Sequence, residues 1–126
     1  MPTANAIVTP QTVNGATATC STANTTYSDS PTNTVAIITA SAGGSRIVRL
    51  TAIPRATVTA TMLQLYRSFD AGATKKLFNT KLMAAHTVAA TTAIPVTDFG
   101  YSEDNPLLMK PGEIIYCAIG VDLGAG

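Results

Sequence analysis

"RATVTATMLQLYRSFDAGATKKLFNT", residues 55–80, decides how the rest of the chain is read. Over 55–68 the side chains alternate with the period of two that a pleated strand imposes. Val58, Ala60, Met62, Gln64 and Tyr66 fall on one face, and Thr57, Thr59, Thr61, Leu63 and Leu65 on the other. The apolar side changes near Met62, as it does at a bulge or where a strand passes from one neighbour to another. "DAGA" at 70–73 is short and rich in turn formers. "TKKLFNT" at 74–80 then returns as the partner strand. The stretch predicts a hairpin whose long strand is buried in part on both sides.

The same reading extends outward. "TVAIIT" (34–39) is a short apolar run, "SAGGS" (41–45) a turn, and "RIVRLTAI" (46–53) a strand stopped by Pro54. "KLMAAHTVAATTAIP" (81–95) predicts a short turn of helix at most, then a strand. "DFGYSEDNP" (98–106) is a loop, and "LLMKPGEIIYCAIGV" (107–121) is two strands around a Pro-Gly turn. Turn signals recur at short intervals, and no long amphipathic helix interrupts them. This is the pattern of an all-β chain, an antiparallel β-sandwich or jelly-roll-like domain over 35–126. Residues 1–34 differ. They are rich in Thr, Asn, Ser and Ala, with Tyr27 as the one aromatic, and can bury little apolar area. They read either as an extended N-terminal arm ordered by contact or as a pair of edge strands. "SDSPTNT" (28–34) is the joint.

At 126 residues the chain has the length of one domain. It holds 21 Thr and 20 Ala, while charged residues make up only 12%. The Thr content suits pleated sheet, and a polar but weakly charged surface suits a protein packed against neighbours. The net charge of +1 favours neither nucleic acid nor an anionic membrane. Its distribution is uneven: 46–81 carries seven basic residues against Asp70, and 82–126 carries five acidic residues against Lys110. A basic face meeting an acidic one, within the fold or between identical subunits, would set register and orientation. The N-terminus shows no secretion signal, and "IIYCAIGV" (114–121) is far too short to span a membrane as a helix, so synthesis in a cytoplasm is expected.

Residue types that carry chemistry are few. His86 is the single histidine, no nucleophile elbow surrounds any serine, and the expectation is no catalytic set and no cofactor. Cys20 and Cys117 are too few for a disulfide framework, and their spacing gives a bridge no support; Cys117 reads as a small buried apolar residue. Asp98, Glu103 and Asp104, beside Asn105, are the one candidate for Ca²⁺, although without EF-hand spacing a solvated acidic loop is the simpler reading. Basic residues without interleaved aromatics make a poor nucleic-acid platform.

Two stretches, "LTAIPRATVTATMLQLYRSFDAGATKKL" (50–77) and "PVTDFGYSEDNPLLMKPGEIIYCAIGV" (95–121), resemble small virion structural proteins of tailed bacteriophages, most of all head decoration (cement) proteins. The resemblance implies a non-enzymatic β-sandwich, commonly a homo-oligomeric trimer. It would bind the major capsid protein on the outside of the phage head and stabilise the shell. Localisation on the virion, with no nucleic acid and no membrane partner, follows from the same resemblance. Candidate interface residues are Ile7, Val8, Val13 and Tyr27 of the arm and Arg46, Arg49, Lys75 and Lys76 of the basic stretch. An alternative is a receptor- or glycan-binding module of a tail or fibre, with Tyr101 beside Glu103, Asp104 and Asn105 as its sugar platform.

The hairpin reading carries its own test. Leu63→Ala or Leu65→Ala is expected to cost about 2–5 kcal/mol in urea unfolding if these residues are core. Near-neutral results at both positions would mean that the faces of the strand are assigned the wrong way round.

Overall fold

The computed structural model describes residues 15–124. It is all-β, with eight strands: β1 (Val35–Thr39), β2 (Ser45–Ile47), β3 (Thr51–Ala52), β4 (Thr61–Ser68), β5 (Lys76–Met83), β6 (Thr97–Asp98), β7 (Leu107–Met109) and β8 (Ile114–Ile119). A four-stranded antiparallel sheet has the order β1-β8-β4-β5. Two short antiparallel ribbons, β2-β7 and β3-β6, complete a sandwich-like arrangement.

Strand β4 shows why the sheet forms where it does. It has a neighbour on each side, β5 and β8, and almost every side chain along it is buried. Alternation sends Leu63 and Leu65 to one face of the sheet and Gln64, Tyr66 and Ser68 to the other. On the first face two apolar clusters join the sheet to the ribbons. One gathers Ala40, Leu107, Met109 and Ile115, with Ile47 and Phe78 packed against it. The other gathers Val58, Leu63, Met83 and Ile119, with Cys20, Ala52 and Phe99 against it. The second face, at Gln64 and Tyr66, is reached by Asn24 from the N-terminal segment.

That segment, over 15–34, lies on the main sheet. Ala23 makes an isolated parallel bridge to Ile119, at the end of β8 that β1 leaves unpaired, and the Asn24 N–H donates to the Ile119 carbonyl at 2.7 Å. Leu123 N–H donates to the Ser21 carbonyl at 3.0 Å.

Several expectations change. The strand expected over 46–53 is two short ones, because β2 takes β7 as partner and β3 takes β6. The strand expected over 55–68 begins at Thr61. Val58 instead exchanges backbone hydrogen bonds with His86, at 2.9 and 3.0 Å, and packs with Leu63 rather than sharing a face with Gln64. The irregularity anticipated near Met62 lies in β5, where the register shifts between Leu65 and Tyr66 and leaves Phe78 unpaired. No helical turn follows Lys81: Leu82 and Met83 continue the ladder opposite Met62 and Thr61, and Met83 is buried in the second cluster. Those ladder bonds and that burial outweigh the local helical preference of Leu, Met and Ala. Past the His86 bridge, 87–96 contains no strand.

The β4–β5 connection is tied by its own side chains. Ala71 and Gly72 have φ of 59° and 94°, both positive as a type I′ turn demands. Ala73 N–H donates to the Asp70 carbonyl at 3.3 Å, and Gly72 N–H to Ser68 Oγ at 2.9 Å. The Asp70 carboxylate accepts from the Thr74 N–H and the Ser68 hydroxyl, each at 2.8 Å, and these bonds hold its pKa below the usual carboxylate value.

Two substitutions test this turn. Ala71→Asn is expected to raise stability by about 0.5–1 kcal/mol, since Asn tolerates the left-handed region better than Ala. Gly72→Ala is expected to lower it by at least about 1–2 kcal/mol, because a new Cβ would be strained at this φ and would meet the Tyr116 hydroxyl. Urea midpoints moving in the same direction for both would refute the type I′ assignment.

Candidate functional site

Two polar groups on the buried strand determine what the surface around them can do. Gln64 and Tyr66 are fully buried, so their hydrogen-bonding atoms need partners from the protein. Asn24, also fully buried, supplies them. Its Nδ2 lies 2.8 Å from both Gln64 Oε1 and the Tyr66 hydroxyl, and its carbonyl accepts from Gln64 Nε2 at 3.1 Å. The Asn24 Oδ1 in turn accepts from the Thr32 N–H at 3.0 Å and the Thr26 N–H at 3.2 Å. Burial pushes the Tyr66 phenol up from its ordinary pKa, against the opposing effect of the Asn24 hydrogen bond. This network is architectural: it fixes the N-terminal segment, and with it Asp29, against the sheet.

A second buried group organises the end of β4. Glu113 has no solvent exposure, and Arg67 pairs with it through two nitrogens: Nε donates to Oε2 and Nη2 to Oε1, both at 3.0 Å. Glu113 Oε1 also accepts from the Lys110 N–H at 3.1 Å, and Arg67 Nη2 donates to the Leu108 carbonyl at 3.1 Å. The guanidinium stands 5.2 Å from the ring centres of both Phe69 and Phe78, and Lys110 Nζ stands 5.1 Å from that of Phe69. The product is a rigid cationic and aromatic cluster at the surface. Phe69 is 55% exposed and Leu108 67% exposed. Arg46 lies directly across the β2–β7 ribbon from Leu108. Phe69, on which the Arg67 guanidinium lies, and Leu108, whose carbonyl accepts from Arg67, form the candidate interaction site with Arg46 and Lys110 beside them. Its chemistry is that of recognition: exposed apolar anchors with cations around them, to be desolvated by a partner.

The residues anticipated from sequence are placed differently from one another. Ile7, Val8 and Val13 lie outside the described residues. Tyr27 is half exposed, Arg46 is exposed on β2 opposite Leu108, and Arg49 is exposed beyond the end of β2. Lys75 and Lys76 turn to the N-terminal segment. Lys76 Nζ pairs with Asp29 at 2.6 Å, Lys75 N–H donates to the Asp29 carbonyl at 3.0 Å, and Lys75 Nζ lies 4.6 Å from the Tyr116 ring centre. Of the anticipated residues that are described, Arg46 is the one beside the cluster. Phe69, Leu108, Arg67 and Lys110 were not foreseen as a group. The available signals were weak: an aromatic after the last strand residue, and the outward position of Leu108 in "LLM".

The acidic loop does not converge. Asp98 lies on β6 and accepts from the Gly100 N–H at 2.8 Å, while Glu103 and Asp104 are exposed in the turn closed by Ser102 and Asn105. Among the described residues no three His, Cys, Asp or Glu side chains form a group able to hold a metal ion. Tyr101, the ring on which a sugar would stack, packs against the first apolar cluster, and its hydroxyl accepts from Asn79 Nδ2 at 3.0 Å. His86 Nε2 is shielded from solvent and has no hydrogen-bond partner among the described residues. A shallow hollow of about 180 Å³ lined by Thr19, Ser21, Thr22, Asn33, Thr34 and Val35 is smaller than ordinary small-molecule sites. No family model, no curated protein and no solved structure matches this chain.

Both buried polar groups can be tested in solution. Arg67→Ala is expected to cost about 3–5 kcal/mol, because it strands a buried carboxylate, while Arg67→Met combined with Glu113→Leu should cost less than that. Tyr66, with its folded pKa raised, contributes stability that is intact below the ordinary tyrosine value of about 10 and is lost as pH rises through the folded value. Tyr66→Phe should remove that alkaline loss, measured as urea midpoint against pH. An unchanged slope would show that Tyr66 ionises as freely in the folded chain as in the unfolded one.

Proposed function

We propose that this chain is a non-enzymatic structural protein of a tailed-phage virion, a capsid decoration (cement) protein that assembles as a trimer and binds the major capsid protein on the head exterior. The observation that carries this reading is the pair of exposed apolar anchors, Phe69 and Leu108, held in place by the buried Arg67–Glu113 pair and edged by Arg46 and Lys110. Single exposed apolar residues need no explanation. Two that share one rigid, hydrogen-bonded support have the makeup of a protein-binding hot spot. The resemblance of 50–77 and 95–121 to head decoration proteins supplies the identity of the partner.

Two further features support an assembling role. Among the described residues strand β5 has a sheet neighbour on one side only, β4, and Leu77 and Leu82 are exposed on it. Lys76 and Lys81 on the same strand discourage indiscriminate pairing along that edge and leave side-chain contacts as the specific ones. The surface is also short of charge, so close packing strands few ions. Many modest contacts repeated over a lattice then give avidity without a tight single site.

The test is occupancy on undecorated capsids of the phage that encodes the chain, imaged by cryo-EM and titrated. Wild type is expected to saturate sites on the outer surface. Phe69→Asp and Leu108→Glu, both at exposed positions, should weaken binding at least about tenfold while leaving the urea midpoint nearly unchanged. No specific density on the capsid with wild type would overturn the proposal. Equal occupancy by both variants would move the binding surface elsewhere on the molecule.

A further inference from the structure

The chain contains two cysteines, 97 residues apart in sequence, and the fold places their Sγ atoms 2.9 Å from each other. The approach is closer than unbonded sulfur atoms ordinarily keep, and both backbones are held. Cys117 sits in mid β8, between Val35 of β1 and Leu65 of β4. Cys20 packs against the cluster of Val58, Leu63, Met83 and Ile119. The residues that follow it are pinned by the Leu123–Ser21 and Asn24–Ile119 backbone bonds and by the Ala23 N–H on the Asp122 carboxylate. Both cysteines are half-buried residues, neither fully enclosed in the core.

We propose that Cys20 and Cys117 form an intramolecular disulfide, a covalent clasp that fastens the N-terminal segment to the central sheet. The oxidant is a small-molecule disulfide such as oxidised glutathione. The Cys20 thiolate attacks one sulfur of that disulfide, whose S–S bond breaks and releases one thiolate with the bonding pair. Cys117 then gives its proton to solvent, and its thiolate attacks the Cys20 sulfur of the mixed disulfide. The Cys20–Cys117 bond forms and the second small thiolate leaves. Two protein thiols have been oxidised and one small disulfide reduced to two thiols. Either thiol can donate in the contact, so Cys20 and Cys117 can exchange the roles of attacking and resolving sulfur.

The clasp spans 20–117, which contains β1 to β7 whole, so it constrains the unfolded chain strongly. Its place beside the Ala23–Ile119 bridge also means that it holds Asn24 over Gln64 and Tyr66.

The experiment equilibrates the folded wild-type protein in a glutathione redox buffer and traps free thiols with an alkylating agent before intact mass measurement. The expected product is a monomeric chain lighter by two hydrogens with no alkylation, and a Tm at least about 10 °C above that of the reduced protein. In Cys117→Ser the glutathione adduct should accumulate on Cys20, and in Cys20→Ser on Cys117. Cys20→Ala with Cys117→Ala should retain the fold with a Tm that no longer responds to redox. Two alkylated thiols in oxidising buffer, or disulfides only between chains, would overturn the clasp. Because the first comparison uses wild type alone, a variant that fails to fold leaves it intact.

Discussion

Strand β4 has no solvent-facing side, and its second face carries the polar ends of Gln64 and Tyr66. A sheet can bury that face only if something meets those atoms, since an unpaired buried amide or phenol costs more than its apolar neighbours recover. Asn24 meets them, and the segment around it is fixed as a consequence. The N-terminal segment thus contributes very little apolar mass and yet closes the fold. Its Thr-rich, Asn-rich makeup supplies donors and acceptors where a second layer of strands would otherwise be required.

Among the described residues, two ion pairs draw on the uneven charge along the chain. Arg67 from the basic middle meets Glu113 from the acidic end, and Lys76 meets Asp29. The two pairs differ in consequence. The Lys76–Asp29 pair is exposed on both sides and is worth little by itself. The Arg67–Glu113 pair holds a carboxylate with no contact to water, and its geometry therefore has to be kept. A rigid support of that kind lets Phe69 and Leu108 stay at the surface without collapsing onto the core.

Alternation along 61–68, the brief apolar run at 35–39 and the Pro-Gly turn at 111–112 were legible because each follows from local chemistry: side-chain period, burial and turn preference. The all-β class and the main hairpin followed from them. Partner choice did not. Nothing in "RIVRLTAI" announces that its first half pairs with Leu107–Met109 and its second with Thr97–Asp98, because those partners lie about 45 to 64 residues on. The hidden value of Asn24 had the same cause: an Asn among many Thr and Ala in a low-complexity stretch shows its role only when Gln64 and Tyr66 arrive beside it. The interaction cluster was legible only as scattered residues, since Arg67, Phe69, Leu108 and Lys110 belong to two elements that the fold brings together. The cysteine contact, too, is a product of topology, with no trace in spacing.

The position of β8 has a consequence for how the chain is made. It is the last strand of the described chain, yet it sits inside the main sheet and pairs with both β1 and β4. As synthesis proceeds, the β4–β5 hairpin can close early, but β1 has no neighbour until residues 114–119 have left the ribosome. The half-made chain must therefore wait with a long open edge and several unpaired strands, a state in which nascent copies on one message can pair with each other. β1 carries no charged residue to guard it in that state.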